Sequence, residues 1–329
     1  VSECVAPTST QSPLPIVPVT SQSRSADACD VTSARITRCT NARIPGSIAH
    51  VPDTATVPDA SELLLLSAAD VSVVVAPTAG GRIGQITVAG GPLLVDMPTE
   101  GAHPMGWGSF PMAPWAGRIR GGQFAFDGID HQLELNHVDG GGGPGRAHSI
   151  HGTVFTRSWG ITDRTATAIS MSCPLDGALD WPFGGTAHQR IEIDATRVTC
   201  ELTVDTDDGR FPAELGWHPW FRKPDRLEFS PTAMYQRDPV GIATGELVEP
   251  TVGPWDDCFV NTRPVILHYD RHALATVTVA SDCDHWVVYD QPSDATCVEP
   301  QSGPPDAFNL NPNVVDPASP LHRTMTISW

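Results

Sequence analysis

The sequence is poor in basic residues. It has 20 Lys and Arg against 38 Asp and Glu, so the 329-residue chain carries a formal net charge of −18. Nucleic acids and anionic membrane surfaces bind clustered Lys and Arg, so this balance argues against both kinds of partner. No stretch approaches the roughly 18–20 consecutive apolar residues of a membrane-spanning helix. We therefore predict neither a nucleic-acid nor a membrane partner.

The sequence also lacks Cys-x-x-Cys pairs among its eight cysteines. The ligand spacing of zinc ribbons and the motif of thioredoxin-like redox sites are therefore missing. Cys200 and Cys297 lie inside apolar, strand-like segments, which is typical of buried free thiols. The N-terminus has no basic segment followed by an apolar one, as a signal peptide would. We predict a reducing, cytoplasmic location and no metal site.

The first 60 residues differ in composition from the rest of the chain. They are rich in Ser, Thr, Pro and Ala and keep no period of 2 or 3.6 residues. Such composition is typical of disordered segments. We predict a disordered tail over residues 1–60 and one catalytic domain over residues 61–329.

From residue 62 onward the dominant pattern is that of β-strands. Apolar and polar residues alternate over 190–193 and over 198–204, which predicts a hairpin with one buried face. Further strands are predicted at 71–76, 131–135, 264–268, 276–279, 286–289 and 324–329. No window has the period of a long amphipathic helix. The pattern predicts an all-β fold, a large antiparallel β-sandwich or barrel.

Two distant segments carry the residues best suited to chemistry. The segment 216–221 holds His218 beside a proline and among aromatics, and the segment 297–301 holds Glu299 in an apolar run. A His and a Glu that meet in an aromatic-walled cleft can transfer protons on a neutral, hydroxyl-rich molecule. Taken separately, His218 is better explained as an ordinary core histidine and Glu299 as a solvated glutamate.

Other polar residues stand in short, dense motifs. Arg118 lies in Pro-Trp-Ala-Gly-Arg-Ile, His151 in Ile-His-Gly and Asp256 in Trp-Asp-Asp-Cys-Phe. His148 and His151 are three residues apart outside a helical pattern, a spacing that does not favour a metal site. The glycine run 140–143 has no Lys-Ser/Thr after it and is better explained as a surface loop than as a phosphate-binding loop.

In this order and approximate spacing, the five motifs resemble the aldose 1-epimerase (galactose mutarotase) family over roughly residues 62–329. The resemblance implies an antiparallel β-sandwich of the supersandwich kind. It implies that Glu299 is the base that takes the proton from the anomeric hydroxyl. His218 is then the acid that protonates the ring oxygen, and His151 assists. The expected sugar-binding residues are Arg118, Asp256, Gln301 and Trp220.

The resemblance has departures. Many family members have Asn where this chain has Gly117, and a second glycine where it has Thr153. The motif does not decide which carboxylate of the Asp256–Asp257 pair faces the sugar, and we prefer Asp256. Trp107, Trp115 and Trp220 are candidates for stacking on the apolar face of a pyranose.

These expectations combine into an aldose 1-epimerase that interconverts the α and β anomers of free aldohexoses. It would need no metal or organic cofactor and would act as a monomer or homodimer with a sugar as its only small-molecule partner. A hexose 6-phosphate substrate is an alternative, with Arg118, Arg120 and Arg146 as phosphate ligands, although these form no tight cluster in sequence. A sugar-binding or sensor domain without catalysis is a second alternative. A glycosidase is disfavoured because it would need two opposed carboxylates.

Overall fold

The computed structural model describes residues 62–98, 104–138, 145–270 and 274–329. The predicted tail over residues 1–60 and the glycine run 140–143 lie outside these residues.

Almost all regular structure in the described part of the chain is β. In chain order its strands are β1 (Leu64–Ala68), β2 (Val71–Ala76), β3 (Arg82–Val88), β4 (Gly91–Pro92), β5 (Ser109–Met112), β6 (Arg118–Arg120), β7 (Gln123–Phe126), β8 (Ile129–Gln132), β9 (His137–Val138), β10 (Ala147–Ile150), β11 (Gly160–Arg164), β12 (Ala168–Pro174), β13 (Thr186–Ile193), β14 (Arg197–Asp205), β15 (Phe211–Ala213), β16 (Gly216–Arg222), β17 (Arg226–Glu228), β18 (Ala233–Arg237), β19 (Ala243–Val248), β20 (Asp256–Val260), β21 (Val265–His268), β22 (Thr276–Ser281), β23 (His285–Tyr289), β24 (Ala295–Gln301), β25 (Asn313–Val315) and β26 (Leu321–Ser328).

Two large antiparallel sheets form the body of the fold. The first has eleven strands in the order β1-β2-β3-β5-β16-β24-β23-β20-β18-β19, with β4 beside β3. The second has eight strands in the order β11-β12-β13-β14-β26-β22-β21-β17. Three smaller pairings, β6-β10-β9, β15-β25 and β7-β8, complete the described strands.

The hydrophobic core lies between the two large sheets, because alternate residues of their strands point inward. Val73 of β2 and Trp217 of β16 belong to the same buried cluster as Ile191 of β13 and Ile327 of β26. The two sheets therefore form a sandwich, and the predicted all-β fold is confirmed.

Most predicted strands are confirmed with small changes of boundary. The hairpin of β13 and β14 pairs Ile193 with Val198, as the alternation predicted. The strand predicted at 131–135 is only partly correct, because β8 ends at Gln132. Leu133 and Leu135 are buried, so their alternation reports burial beyond the end of the strand.

Helical structure is slight. A 3-10 turn spans Pro77–Ala79, and the short helix α1 spans Ala307–Leu310. None of the described helices is long and apolar enough to cross a bilayer.

Candidate active site

His218 and Glu299 meet on neighbouring strands of the eleven-stranded sheet. Gly216 of β16 pairs with Gln301 of β24, and Trp220 pairs with Cys297. His218 and Glu299 are therefore opposite each other in this antiparallel register and project from the same face. The His218 Nε2 atom lies 3.3 Å from Glu299 Oε1. The structure thus brings together the two residues that the sequence singled out.

Aromatic rings surround the imidazole of His218. Its ring stacks with Phe110 at a centroid distance of 4.7 Å and with Trp220 at 5.4 Å. The His151 ring lies edge-on to it at 5.1 Å. The side chains of His218 and Glu299 are only 9% and 3% exposed. The packing fixes the orientation of the imidazole and leaves little of either side chain exposed.

Burial controls the protonation of this pair. It raises the pKa of Glu299 well above its usual range, and the nearby Asp256 charge raises it further, whereas Arg118 and a hydrogen bond from Gln301 act in the opposite direction. Burial also lowers the pKa of His218 to about 3, and the charges of Arg82 and Arg118 add to this effect. Both shifts favour the uncharged forms. The pair therefore rests as a carboxylic acid beside a neutral imidazole, with one transferable proton.

A cavity of about 300 Å³ opens above the pair. This volume is at the lower end of the range, about 300–1,000 Å³, that is typical of small-molecule sites. It is lined by residues of six strands of the eleven-stranded sheet, of the β6-β10-β9 sheet and of the adjoining loops. Among them are Arg118, His151, His218, Trp220, Tyr235, Arg237, Asp256, Asp257, Cys258, Tyr289, Glu299 and Gln301. All seven residues predicted to act in catalysis or sugar binding are in this lining.

A tight loop contact places His151 at the cavity. His151 has a positive φ of 62°, and its backbone N–H donates to the Gly117 carbonyl over 2.9 Å. Gly152 follows with a φ of 81°, and a Cβ on it would lie 1.9 Å from the Ala113 carbonyl oxygen. Only glycine fits there, because both the backbone conformation and the close approach exclude a side chain. His151 also has its pKa held well below its usual range, first by burial and then by the charges of His218 and Arg118.

The departure at Gly117 has a local explanation. Its φ is 64°, and a Cβ would lie 3.1 Å from Cγ of Pro305. Pro305 itself lines the cavity. A proline ring therefore occupies the space next to position 117, where the resemblance led us to expect an amide side chain. Thr153 is buried, and its backbone N–H donates to the Ala113 carbonyl over 2.8 Å.

Several polar atoms in the site have no hydrogen-bond partner among the described residues. They are Nδ1 of His151, Nδ1 of His218, Nε1 of Trp220 and Oε1 of Gln301. The other end of the Gln301 amide donates from Nε2 to Glu299 Oε2 over 3.2 Å. Buried polar groups normally have partners, so this concentration of unsatisfied atoms is characteristic of a site that binds a polar ligand.

Arg237 is a site residue that the sequence did not predict. Its guanidinium lies 3.4 Å from Oδ2 of Asp256 and 3.6 Å from Oδ1 of Asp257, and it also donates to the Asp256 carbonyl. Burial raises the pKa of Asp256, while Arg237 and Arg118 oppose that rise. Both aspartates line the cavity, and Asp256 has the greater effect on the pKa of Glu299. The strand of Arg237 has no motif that would have marked it.

Of the three tryptophans proposed for stacking, only Trp220 lines the cavity. The prediction was wrong for Trp115, which is 1% exposed within the main core. It was also wrong for Trp107, which is buried against the guanidinium of Arg82 at 4.3 Å. Local sequence could not separate core tryptophans from site tryptophans, because both kinds occur among the same prolines and glycines.

Cys297 lies beside the acid–base pair. The donor atoms of His218, Cys297 and Glu299 are within 4.8 Å of one another, and all three residues are buried. An imidazole, a thiol and a carboxyl group are the donors that Zn²⁺ accepts. Among the described residues, this set could hold a metal ion, although the sequence predicted a buried thiol and no metal site. Cys297 is a free and fully buried thiol, as predicted.

Comparison with known proteins finds a matching family model and curated relatives. The family model described as aldose 1-epimerase matches residues 62–323. The uncharacterized protein YihR of Escherichia coli K12 is 23% identical over 257 residues, which are 70% of this chain and 81% of that protein.

Solved structures share the fold. The GalM/aldose epimerase homologue from C. elegans has a TM-score of 0.69 at 14% identity, over 81% of this chain and 98% of that chain. The galactose 1-epimerase from Lactobacillus acidophilus has a TM-score of 0.66 at 17% identity, over 81% and 94% of the two chains. The galactose mutarotase-like sandwich expected from the sequence is thereby confirmed.

Proposed function

The chain belongs to the aldose 1-epimerase family, and from that premise we propose that it interconverts the α and β anomers of an aldohexose. The observation that carries the proposal is the buried pair of His218 and Glu299, 3.3 Å apart in a cavity of about 300 Å³. Mutarotation moves one proton off an anomeric hydroxyl and one onto a ring oxygen. One buried base and one buried acid are sufficient for it.

The proposed reaction begins from the charged form of the pair. The Glu299 carboxylate takes the proton from the anomeric hydroxyl, His218 gives its proton to the ring oxygen, and the bond between C1 and that oxygen breaks. The products are the open-chain aldehyde, a protonated Glu299 and a neutral His218. Burial favours this uncharged pair, so proton transfer from the charged form towards ring opening is favourable, and the same burial makes the charged form a minor state of the free site. Rotation about C1–C2 and the reverse transfers then close the ring as the other anomer.

The remaining site residues orient the sugar in this proposal. Arg118 and Asp256 offer charged hydrogen-bonding groups at the cavity wall, and the free Oε1 of Gln301 accepts a hydroxyl beside Glu299. His151 assists from the edge of the His218 ring. The indole of Trp220 supplies an apolar surface, with its unpaired Nε1 as a donor.

Polarimetry on fresh α-D-glucose and α-D-galactose tests the proposal. We expect acceleration above the spontaneous rate, and a loss of about 10²–10⁴-fold in kcat for Glu299→Gln and for His218→Gln. His188→Gln and Glu228→Gln change the same residue types outside the cavity and serve as matched controls. If sugars bind but a panel of free and substituted aldoses shows no faster anomer exchange, the chain is a binding protein and the proposal is wrong.

A further inference from the structure

A second hollow, of about 450 Å³, adjoins the cavity of the acid–base pair. The two spaces share Arg118, Arg237, Gly241 and Asp256 as lining residues. A ligand seated over Glu299 can therefore extend into the second space. Nothing in the proposed anomer exchange requires this extension.

Three guanidinium groups line the second hollow, on a chain that has nearly twice as many acidic as basic residues. They belong to Arg118, Arg146 and Arg237, and the acidic residues in the lining are Asp238 and Asp256. Arg118 and Arg146 come from the β6 and β10 region of the fold, whereas Arg237 comes from β18 of the large sheet. The tertiary fold creates this cluster, which explains why the sequence showed none.

Both carboxylates of the hollow already have cationic partners. Asp238 Oδ2 accepts from Arg120 over 2.6 Å, and Asp256 Oδ2 lies 3.4 Å from Arg237. Arg120 is further held 3.6 Å from Asp306. Arg120, considered as a phosphate ligand from the sequence, is therefore engaged with protein carboxylates and is not part of the lining.

Arg146 has no such engagement. It is half-buried at the wall of the hollow and makes no hydrogen bond or ion pair with any described residue. A guanidinium group offers five donors in a planar fork that matches a phosphate or a carboxylate. Such charge-assisted hydrogen bonds are about twice as strong as neutral ones. An arginine at this position thus suits an anionic ligand better than a hydroxyl group.

We propose that the second hollow is an anion subsite, and that the preferred substrate is an aldohexose with an anionic group at C6. This inference rests on the proposed anomer exchange and names the class of sugar that undergoes it. A phosphate ester and a carboxylate share the required chemistry, and Arg146 is the residue that discriminates between charged and neutral sugars.

Exchange NMR of the anomeric protons tests the inference. Glucose, glucose 6-phosphate and glucuronate are compared at equal concentration, each corrected for its spontaneous rate. We expect kcat/KM for at least one anionic sugar to exceed that for glucose by about 10-fold or more. Preference for glucose 6-phosphate identifies a phosphate subsite, and preference for glucuronate a carboxylate subsite.

Two arginine variants make the test specific. Arg146→Gln is expected to lower the ratio of kcat/KM for the anionic sugar to that for glucose by about 10-fold. Arg263→Gln removes the same charge from an exposed turn between β20 and β21, outside both hollows, and should leave the ratio unchanged. Equal kcat/KM for charged and neutral sugars, or equal ratios in the two variants, would overturn the anion subsite while leaving the anomer exchange intact.

A binding measurement separates the two proposals if no sugar is epimerised. Calorimetry with glucose 6-phosphate and with glucuronate uses the full chain and needs no turnover. Binding of either ligand that weakens in Arg146→Gln but not in Arg263→Gln supports the anion subsite even if no sugar is epimerised. Without anomer exchange, failure of both ligands to bind refutes it.

Discussion

Glu214 gives the sharpest quantitative prediction. It is 1% exposed, directly after β15. Its carboxyl accepts from the Ser302 hydroxyl over 2.6 Å and from the backbone and side-chain N–H groups of Asn313 over 3.1–3.2 Å. These donors do not offset its burial, which raises the pKa of Glu214 from 4.5 to about 7.

The sign of the effect on stability follows from proton binding. Between pH 4.5 and 7 the folded chain keeps a proton on Glu214 that the unfolded chain has lost. The contribution of Glu214 to the free energy of unfolding is therefore fully present below pH 4.5 and is lost as the pH rises to 7. Each pKa unit corresponds to about 1.4 kcal/mol, so the free energy of unfolding should fall by roughly 3 kcal/mol through this group.

Urea unfolding of wild type and Glu214→Gln between pH 4.5 and 8 measures this contribution. The glutamine cannot ionise, so the free energy of unfolding of the variant minus that of wild type should rise by roughly 3 kcal/mol across the range. Glu246→Gln, an exposed replacement on β19, is the matched control and should give a constant difference. Parallel curves for wild type and Glu214→Gln would refute the assignment of a raised pKa to Glu214.

Three further predictions concern the site. In a profile of kcat/KM against pH, the lowered pKa of His218 places the acid limb near pH 3, and loss of the Glu299 proton sets the alkaline limb. An acid limb near pH 6.5 would contradict this protonation scheme. Gly152→Ala should abolish folding or activity because its Cβ would meet a backbone carbonyl. Gly128→Ala, with a similar φ but open space, should cost only about 1–2 kcal/mol of stability. Equal losses of stability in the two variants would argue against the steric explanation. Added Zn²⁺ should inhibit in competition with the sugar, and Cys297→Ser should raise the inhibition constant for Zn²⁺ about 10-fold or more. Unchanged inhibition in that variant would exclude the thiol as a ligand.

The sequence predicted the parts of the site that depend on local pattern. Alternation identified β13 and β14, and short motifs identified His218 and Glu299. The distance between these two residues depends on the register of β16 against β24, which no local pattern encodes. Arg237 escaped prediction for the same reason, because β18 reaches the cavity only through its place in the large sheet.

The errors at 131–135 and at Trp115 have one physical origin. Alternation and aromatic content report that a side chain is buried, and they do not report what it is buried against. Leu133 is buried in the main core, yet it lies beyond the end of β8. Trp115 is as buried as a site residue, yet its neighbours are core rings such as Trp181 at 5.7 Å.

Arg118 links the two proposals through electrostatics. Its charge lowers the pKa of both Glu299 and His218, so it favours the carboxylate that starts ring opening but disfavours the imidazolium that must accompany it. An anionic group bound in the second hollow would partly cancel this charge, and the imidazolium of His218 would then be easier to form. The same arginine would then hold the substrate and adjust the acid that acts on it, which gives a physical reason for an anion subsite next to a catalytic pair that needs no anion for its own chemistry.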